Sequence, residues 1–166
     1  MLLAVFPHTA HRAPHTGFEP LCYSFSVRIL AVDFGEKRIG LATSDATGTL
    51  ATPRRTLLRT DDARAAAEIL SFCEQEEIGL VLVGLPRSPE GVESPFAARI
   101  RSFAAKLAAR GSIPVRFHEE TLTSNEAARR LAPGSTREDL DRTAAAVLLE
   151  DYLSHQSRIS GEKDAQ

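Results

Sequence analysis

The hydrophobic and polar positions along the chain separate strand-like from helix-like segments. Short stretches rich in apolar and β-branched residues and bounded by Gly or Pro are typical of strands. Five such stretches occur, at residues 27–33, 38–45, 50–58, 78–86 and 114–118. The run IGLVLVGLP at 78–86 is almost entirely apolar, which is typical of a strand buried on both faces of a parallel sheet. We therefore expect this strand at the centre of the sheet.

Four helices are predicted from the capping residues at their starts. These caps are Thr60, Ser94, Thr123 and Ser135. Thr123 and Ser135 each have a glutamate three residues later, which makes a capping box. Ser94 is followed by Pro95 at the first helical position, and Gly111 stands just past the end of that helix. A strand hairpin followed by alternating helices and strands predicts an α/β fold, with a mixed five-stranded sheet and helices on both faces.

The organised pattern begins abruptly at Val27. Residues 1–26, rich in His and Pro, have the composition of a disordered extension, and we expect the natural start of the protein to lie near Val27. Residues 27–154 are predicted to form one domain, since 166 residues suit a single core. Residues 155–166 are predicted to be a polar, frayed C-terminal tail.

Charge and composition narrow the function classes. The formal net charge is -2, so the chain does not coat nucleic acid by charge alone, and contact with phosphates must be local. No apolar run reaches the ~18 residues that a membrane span needs, so we expect no membrane association. The two cysteines lack the density of a disulfide framework, which favours a reducing, cytoplasmic compartment.

Asp33 is the first candidate site residue. It ends an apolar strand and is followed by Phe34 and Gly35, so its carboxylate stands where ligands bind in open α/β sheets. Taken alone, an Asp-x-Gly motif is more typical of an aspartate that caps its own turn. The motif therefore acquires weight only together with other acidic residues.

Three further acidic residues, in two segments, supply that context. Glu119 and Glu120 follow a strand, where they either face a cation or favour the N-terminus of the next helix. Asp141 precedes Ala144 and Leu148 by three and seven residues, on the inward face of the last helix. An aspartate that only stabilised the helix dipole could face solvent and avoid the cost of desolvation. We therefore interpret Asp141 as a functional residue.

Asp33, Glu120 and Asp141 together predict a metal site. Three carboxylates from separate segments can meet at one sheet edge and hold Mg²⁺ or Mn²⁺ against a phosphodiester. Two such ions ~4 Å apart would activate the attacking water and stabilise the leaving oxygen. The sequence thus predicts a metal-dependent nuclease in which Asp33, Glu120 and Asp141 are both catalytic and metal-binding.

Four motifs in order resemble a known family. They are AVDFGEKRIGLATSD, LVGLP with Gly91 following, EETLTSNEA and DRTAAAVLLEDYL. In sequence and spacing they are similar to the YqgF/RuvX family of bacterial RNase H-like proteins, over about residues 27–153. The resemblance implies an RNase H-like fold and a cytoplasmic nuclease that processes the 5′ end of pre-16S rRNA in ribosome biogenesis, with a fold related to Holliday-junction resolvases.

In this resemblance Asp33, Glu120 and Asp141 match the acidic positions of the family's motifs. Glu119 stands where the family often has Asp, and Thr121 stands where it usually has Arg. The missing arginine removes a phosphate contact. We expect Arg38, Arg87 or Arg129 to compensate by binding substrate.

Other functions remain open at this point. A Holliday junction resolvase or DNA repair nuclease would act on branched or single-stranded DNA in place of pre-rRNA. A non-catalytic nucleic-acid-binding or regulatory module would keep the fold without turnover. An actin-like phosphotransferase needs two such domains, and this chain has length for one. Ribosome-assembly factors are possible partners, and the protein is expected to be a monomer or a homodimer.

Overall fold

The computed structural model describes residues 27–87, 94–120 and 123–163. Within them, five strands and four helices follow the predicted order. They are β1 (Arg28–Phe34), β2 (Arg38–Ser44), β3 (Ala51–Leu58), α1 (Asp62–Gln75), β4 (Ile78–Pro86), α2 (Pro95–Arg110), β5 (Val115–Glu120), α3 (Thr123–Arg130) and α4 (Arg137–Lys163). The predicted extension of residues 1–26 lies outside the described residues. No helix in the described part of the chain has the length and apolar character needed to cross a membrane.

The five strands form one mixed sheet in the order β3-β2-β1-β4-β5. β1, β2 and β3 are antiparallel neighbours, whereas β4 is parallel to both β1 and β5. The carboxyl ends of β1, β4 and β5 therefore lie at one end of the sheet, together with the start of β2. The predicted α/β class with a mixed five-stranded sheet is confirmed. β4 has strand neighbours on both sides, but the central strand is β1, so the predicted central place of β4 is wrong by one strand.

Helices α1 and α2 cover one face of the sheet. The core between them and the strands contains large buried side chains, among them Leu30, Ile39, Ile69 and Phe103. The rings of Phe103 and Phe34 pack in a tilted contact with their centroids 4.6 Å apart. Large apolar side chains thus fill the space between the sheet and these two helices.

Helix α4 covers the opposite face. Up to residue 146 it lies against small side chains, and beyond that the larger Leu149, Tyr152 and Leu153 are buried in the same cluster. Ala31 and Ala42 of the sheet pack against Ala145 and Ala146 of the helix, with Leu148 also buried there. α3 packs on the same side through Ala127, which contacts Ala144 and Val147. Because the facing residues are small, the backbone of α4 comes close to the strands.

Two predicted helix caps are wrong by one residue. α1 is capped by Asp61, which accepts a hydrogen bond from the Arg64 N–H at 2.9 Å, and not by Thr60. α4 is capped by Thr136 with Asp139: the Asp139 N–H donates to Thr136 Oγ1 and the Thr136 N–H donates to an Asp139 carboxylate oxygen. The prediction had placed this box at Ser135 and Glu138. In both cases adjacent residues offer the same capping chemistry, so local sequence cannot choose between them.

The cap of α2 is confirmed, whereas the predicted C-terminal tail is not. Ser94 Oγ accepts a hydrogen bond from the Ala97 N–H at 3.1 Å, and Gly111 follows the helix as predicted. α4, however, continues to Lys163, so residues 155–163 are helical and the predicted frayed tail is wrong over that range. Residues 155–158 are exposed, so this part of the helix needs no apolar face.

Candidate active site

A row of three facing residues crosses strands β1, β2 and β3 at one end of the sheet. Asp33 is paired with Gly40, and Gly40 is paired with Thr56. Residues directly opposite each other in an antiparallel pair present their side chains on the same face. In β1 this face also carries Ala31, which packs under α4. The carboxylate of Asp33, which is partly buried, therefore lies on the α4 side of the sheet.

The first turns of α4 rest on this row. A side-chain carbon placed on Gly40 would lie 1.9 Å from the backbone oxygen of Asp141, so only glycine fits at this position. Next to it, Thr56 Oγ1 donates a hydrogen bond to the Glu138 backbone oxygen at 2.7 Å. Gly40 thus has Asp33 beside it in the sheet and Asp141 above it in the helix. Two of the three predicted carboxylate residues are brought together by this contact.

Asp141 forms an ion pair with Arg38 of β2. The guanidinium Nε donates to Asp141 Oδ2 at 2.5 Å, and the exposed fractions of the two side chains are 27% and 20%. Within the part of the chain that the structure describes, Arg38 is the cation in contact with this carboxylate. Arg142, the residue that follows Asp141, is instead paired with Asp139.

The local electrostatics of the α4 start keep Asp139 ionised. Hydrogen bonds from the backbone and the side chain of Thr136 lower the pKa of Asp139 below its ordinary value, and Arg142 lowers it further. This carboxylate is thereby occupied as a helix cap. It holds the first turn of α4 in place and does not compete with Asp141 for Arg38.

Glu120 ends β5, next to the end of β4. Its backbone pairs with Pro86. Position 120 is two residues beyond His118, so strand alternation places both positions on one face. His118 faces α4, where its Nε2 lies 2.7 Å from an oxygen of Asp151. Position 120 therefore belongs to the same end of the sheet as Asp33, although the side chain of Glu120 lies outside what the structure describes.

The other predicted substrate contacts lie around this end of the sheet. Arg87 follows β4 and its Nε is 3.6 Å from Glu119, both side chains being largely exposed. Arg129 is on α3, where it lies 3.7 Å from Glu126. Of the three arginines, Arg38 is the one in contact with a predicted catalytic carboxylate. Thr121, the predicted departure from the family pattern, lies outside the described residues.

The structure thus brings Asp33 and Asp141 next to the same residue, Gly40, and pairs Arg38 with Asp141. Among the described side chains, which do not include that of Glu120, no group of three or more His, Cys, Asp or Glu residues gathers as a metal site. The three-carboxylate site therefore stays a prediction. Sequence reasoning missed Gly40 and Thr56, which position Asp141. The glycine inside an apolar strand was the available signal, because such a glycine often marks a close backbone approach.

Comparison with known protein families identifies relatives of this chain. A family model described as RuvX, Holliday junction resolvase, matches residues 27–155. A candidate pre-16S rRNA nuclease of Koribacter versatilis is 40% identical over 131 residues, covering 76% of this chain and 86% of the relative. A protein of the same name from Chloroflexus aurantiacus is 37% identical over 130 residues, covering 75% and 85%.

Solved structures of similar fold include Holliday junction resolvases. The yeast mitochondrial Holliday junction resolvase Ydc2 superimposes with a TM-score of 0.56 at 10% identity, covering 84% of this chain and 82% of that one. Thermus thermophilus RuvC, solved in complex with a Holliday junction substrate, gives a TM-score of 0.51 at 13% identity, covering 78% and 96%. At these identities the likeness shows the fold, and it confirms the RNase H-like class.

Proposed function

The chain belongs to the RuvX family and is a phosphodiester-cleaving nuclease, and on that premise we propose that cleavage depends on Mg²⁺ or Mn²⁺ held by Asp33, Glu120 and Asp141. The observation that carries this proposal is the contact at Gly40. Gly40 is the strand partner of Asp33 and touches the backbone of Asp141, so the two residues neighbour the same glycine although they lie more than a hundred residues apart in sequence.

The residues present fit such an ion. Asp33 and Asp141 offer hard carboxylate oxygens, which are the ligands that Mg²⁺ and Mn²⁺ prefer. The site already attracts a cation, since the guanidinium of Arg38 is bound to Asp141. When bound, the metal would supply activation of the attacking water and stabilisation of the leaving oxygen.

The protein's own residues have separate tasks in this scheme. Asp33, fixed in the middle strand of the sheet, provides the rigid ligand. The backbone of Asp141 can move only together with α4. The first turns of this helix are held by the contact with Gly40 and by the hydrogen bond from Thr56. Rigid placement of ligands on a strand and a docked helix keeps the carboxylates in position through the reaction.

For the substrate we propose pre-16S rRNA, because the sequence relatives are named as nucleases of that RNA, and its 5′ end as the cleavage region, as the family resemblance implies. The cytoplasm and ribosome-assembly factors are the corresponding compartment and partners. A second candidate is the Holliday junction, favoured by the description of the family model and by the resolvase fold. A resolvase would act as a symmetric dimer on a two-fold junction, whereas an rRNA nuclease has no such requirement.

The test compares wild type, Asp33→Asn and the control Glu68→Gln. Glu68 is on α1, on the opposite face of the sheet, and pairs with Arg64 near the surface. Labelled single-stranded RNA, single-stranded DNA and a four-way DNA junction are incubated with Mg²⁺, Mn²⁺ or EDTA. We expect Asp33→Asn to lower kcat on the order of a thousandfold, or about 4 kcal/mol, and Glu68→Gln to leave it unchanged.

Mn²⁺ binding is measured on the same proteins by isothermal titration. We expect weaker binding for Asp33→Asn and wild-type binding for Glu68→Gln. Cleavage that persists in EDTA would refute metal dependence. Binding of the nucleic acids without cleavage under any condition would favour a non-catalytic module, and the preferred substrate decides between the rRNA and the junction.

A further inference from the structure

Arg38 forms an ion pair with Asp141, one of the carboxylates on which the proposed metal site depends. Its guanidinium lies 2.5 Å from Asp141 Oδ2, in a pair from which most solvent is excluded. A divalent ion at Asp141 and a guanidinium on the same oxygen would repel each other at short range. The arrangement therefore suits a protein without metal, and binding of metal requires the guanidinium to leave.

The backbone of Arg38 is fixed, while its side chain is 27% exposed and can reach solvent. The Arg38 backbone oxygen accepts a hydrogen bond from the Gly35 N–H at 2.9 Å, and the neighbouring Lys37 oxygen accepts one from the Arg59 N–H at 2.9 Å. The base of the side chain is thus held by the β1–β2 turn and by the residue that follows β3. Its long stem allows the guanidinium to change partner without any movement of the strand.

We propose that Arg38 is a counter-ion that holds Asp141 in the metal-free protein and passes to a phosphate of the nucleic acid when metal takes its place. This rests on the proposed function. A guanidinium released beside a metal site stands where substrate phosphates must lie, and its planar fork matches their oxygens. Arg38 would then be a positioning residue whose availability is set by the metal.

One consequence is a coupling between metal and nucleic acid. Without metal, Arg38 is engaged by Asp141 and contributes little to nucleic-acid binding. With metal, it is released and adds a phosphate contact. By linkage, nucleic acid must then strengthen metal binding by the same factor.

The first experiment measures Mn²⁺ affinity of the free protein by isothermal titration for wild type, Arg38→Gln and Arg38→Lys. We expect about three- to tenfold tighter binding in Arg38→Gln, because the competing cation is gone, and near wild-type binding in Arg38→Lys. A merely structural role predicts the opposite, since loss of the pair would loosen α4 and weaken Mn²⁺ binding. Thermal unfolding is recorded for each variant, and Arg38→Met replaces Arg38→Gln where the latter is too unstable.

The second experiment measures binding of a labelled single-stranded RNA in EDTA. Asp141→Asn frees Arg38, so we expect about fivefold tighter binding and a salt dependence steeper by about 0.7 in log–log slope, equivalent to one extra phosphate contact. In the double variant Arg38→Gln with Asp141→Asn, both gains should disappear. Asp151→Asn is the control, because it removes the same charge from the same helix at a residue that contacts His118.

The outcomes separate this inference from the proposed function. If wild type neither binds Mn²⁺ nor cleaves, the proposed function fails and the inference fails with it. If wild type binds Mn²⁺ and cleaves, the inference alone is overturned by either of two results. One is unchanged or weaker Mn²⁺ binding in Arg38→Gln, and the other is a gain in RNA binding by Asp141→Asn that persists without Arg38.

Discussion

The two faces of the sheet are packed in different ways. On the face of α1 and α2, large side chains such as Ile69 and Phe103 fill the space between helix and strand. On the face of α4, alanines and Gly40 let the helix backbone reach the strand itself. The candidate chemistry lies only on the second face, at the end where this approach is closest.

This difference separates stability from function. Large buried side chains contribute most of the apolar burial, and their packing tolerates small adjustments. A backbone contact tolerates none, since neither partner can move to another rotamer. The α1 and α2 face therefore stabilises the sheet, while the α4 face fixes the position of Asp141 relative to Asp33.

The largest expected effect concerns a side chain of the stabilising face. Phe103→Ala removes a fully buried ring and should lower the free energy of unfolding by about 3–5 kcal/mol, while kcat of the folded fraction stays unchanged. Leu148→Ala is the matched truncation on α4, and it should lower both stability and kcat because it loosens the helix that carries Asp141. Chemical denaturation and initial rates at low temperature measure the two quantities. Equal losses of kcat in both variants would show that the faces are not separate.

The next effect concerns the glycine under α4. Gly40→Ala places a carbon against the Asp141 backbone oxygen, so it should cost about 3 kcal/mol and lower kcat at least tenfold by displacing Asp141. Gly111→Ala is the control, because its new carbon would meet the flexible end of Leu70 on the other face. Gly40→Ala with wild-type activity would contradict the positioning role of this contact.

The smallest effect is a pH dependence from the stabilising face. Burial raises the pKa of the Cys73 thiol to about 11, with a smaller contribution from Glu74. Between pH ~9 and ~11 the unfolded thiol loses its proton while the folded one keeps it, so stability falls as pH rises, by about 2 kcal/mol. The unfolding free energies of wild type and Cys73→Ala, measured from pH 7 to 11, should converge by this amount. Parallel curves would mean that the thiol ionises equally in both states.

Local signals were sufficient to predict most of the fold. The apolar run of β4 and the Ser94, Pro95 and Gly111 set of α2 each depend on residues near one another in sequence, so both were predicted with nearly exact limits. The caps of α1 and α4 were missed by one residue where neighbours compete. The helical extension to Lys163 was missed because a polar, solvent-exposed helix end has no hydrophobic periodicity to indicate it.

The residues proposed for the site were chosen from local sequence patterns, which did not indicate the contacts that the structure shows. Asp33 and Asp141 were identified from a strand end and an inward helix face, which are local properties. The pairing of Arg38 with Asp141, and the role of Gly40, depend on how α4 lies on the sheet. That placement follows from tertiary packing between segments about a hundred residues apart, and no local pattern encodes it.

The distance in sequence between Arg38 and Asp141 has a consequence for synthesis of the protein. Translation produces the hairpin of β1 and β2 early and α4 last. A chain still lacking α4 has Asp33 in place, but it has neither Asp141 nor the helix that covers Ala31 and Ala42. Long-range contacts of this kind form late in folding. If Asp33 and Asp141 act together as proposed, an unfinished copy of this nuclease on the ribosome lacks half of that site, and we expect cleavage to begin only when the last helix has docked.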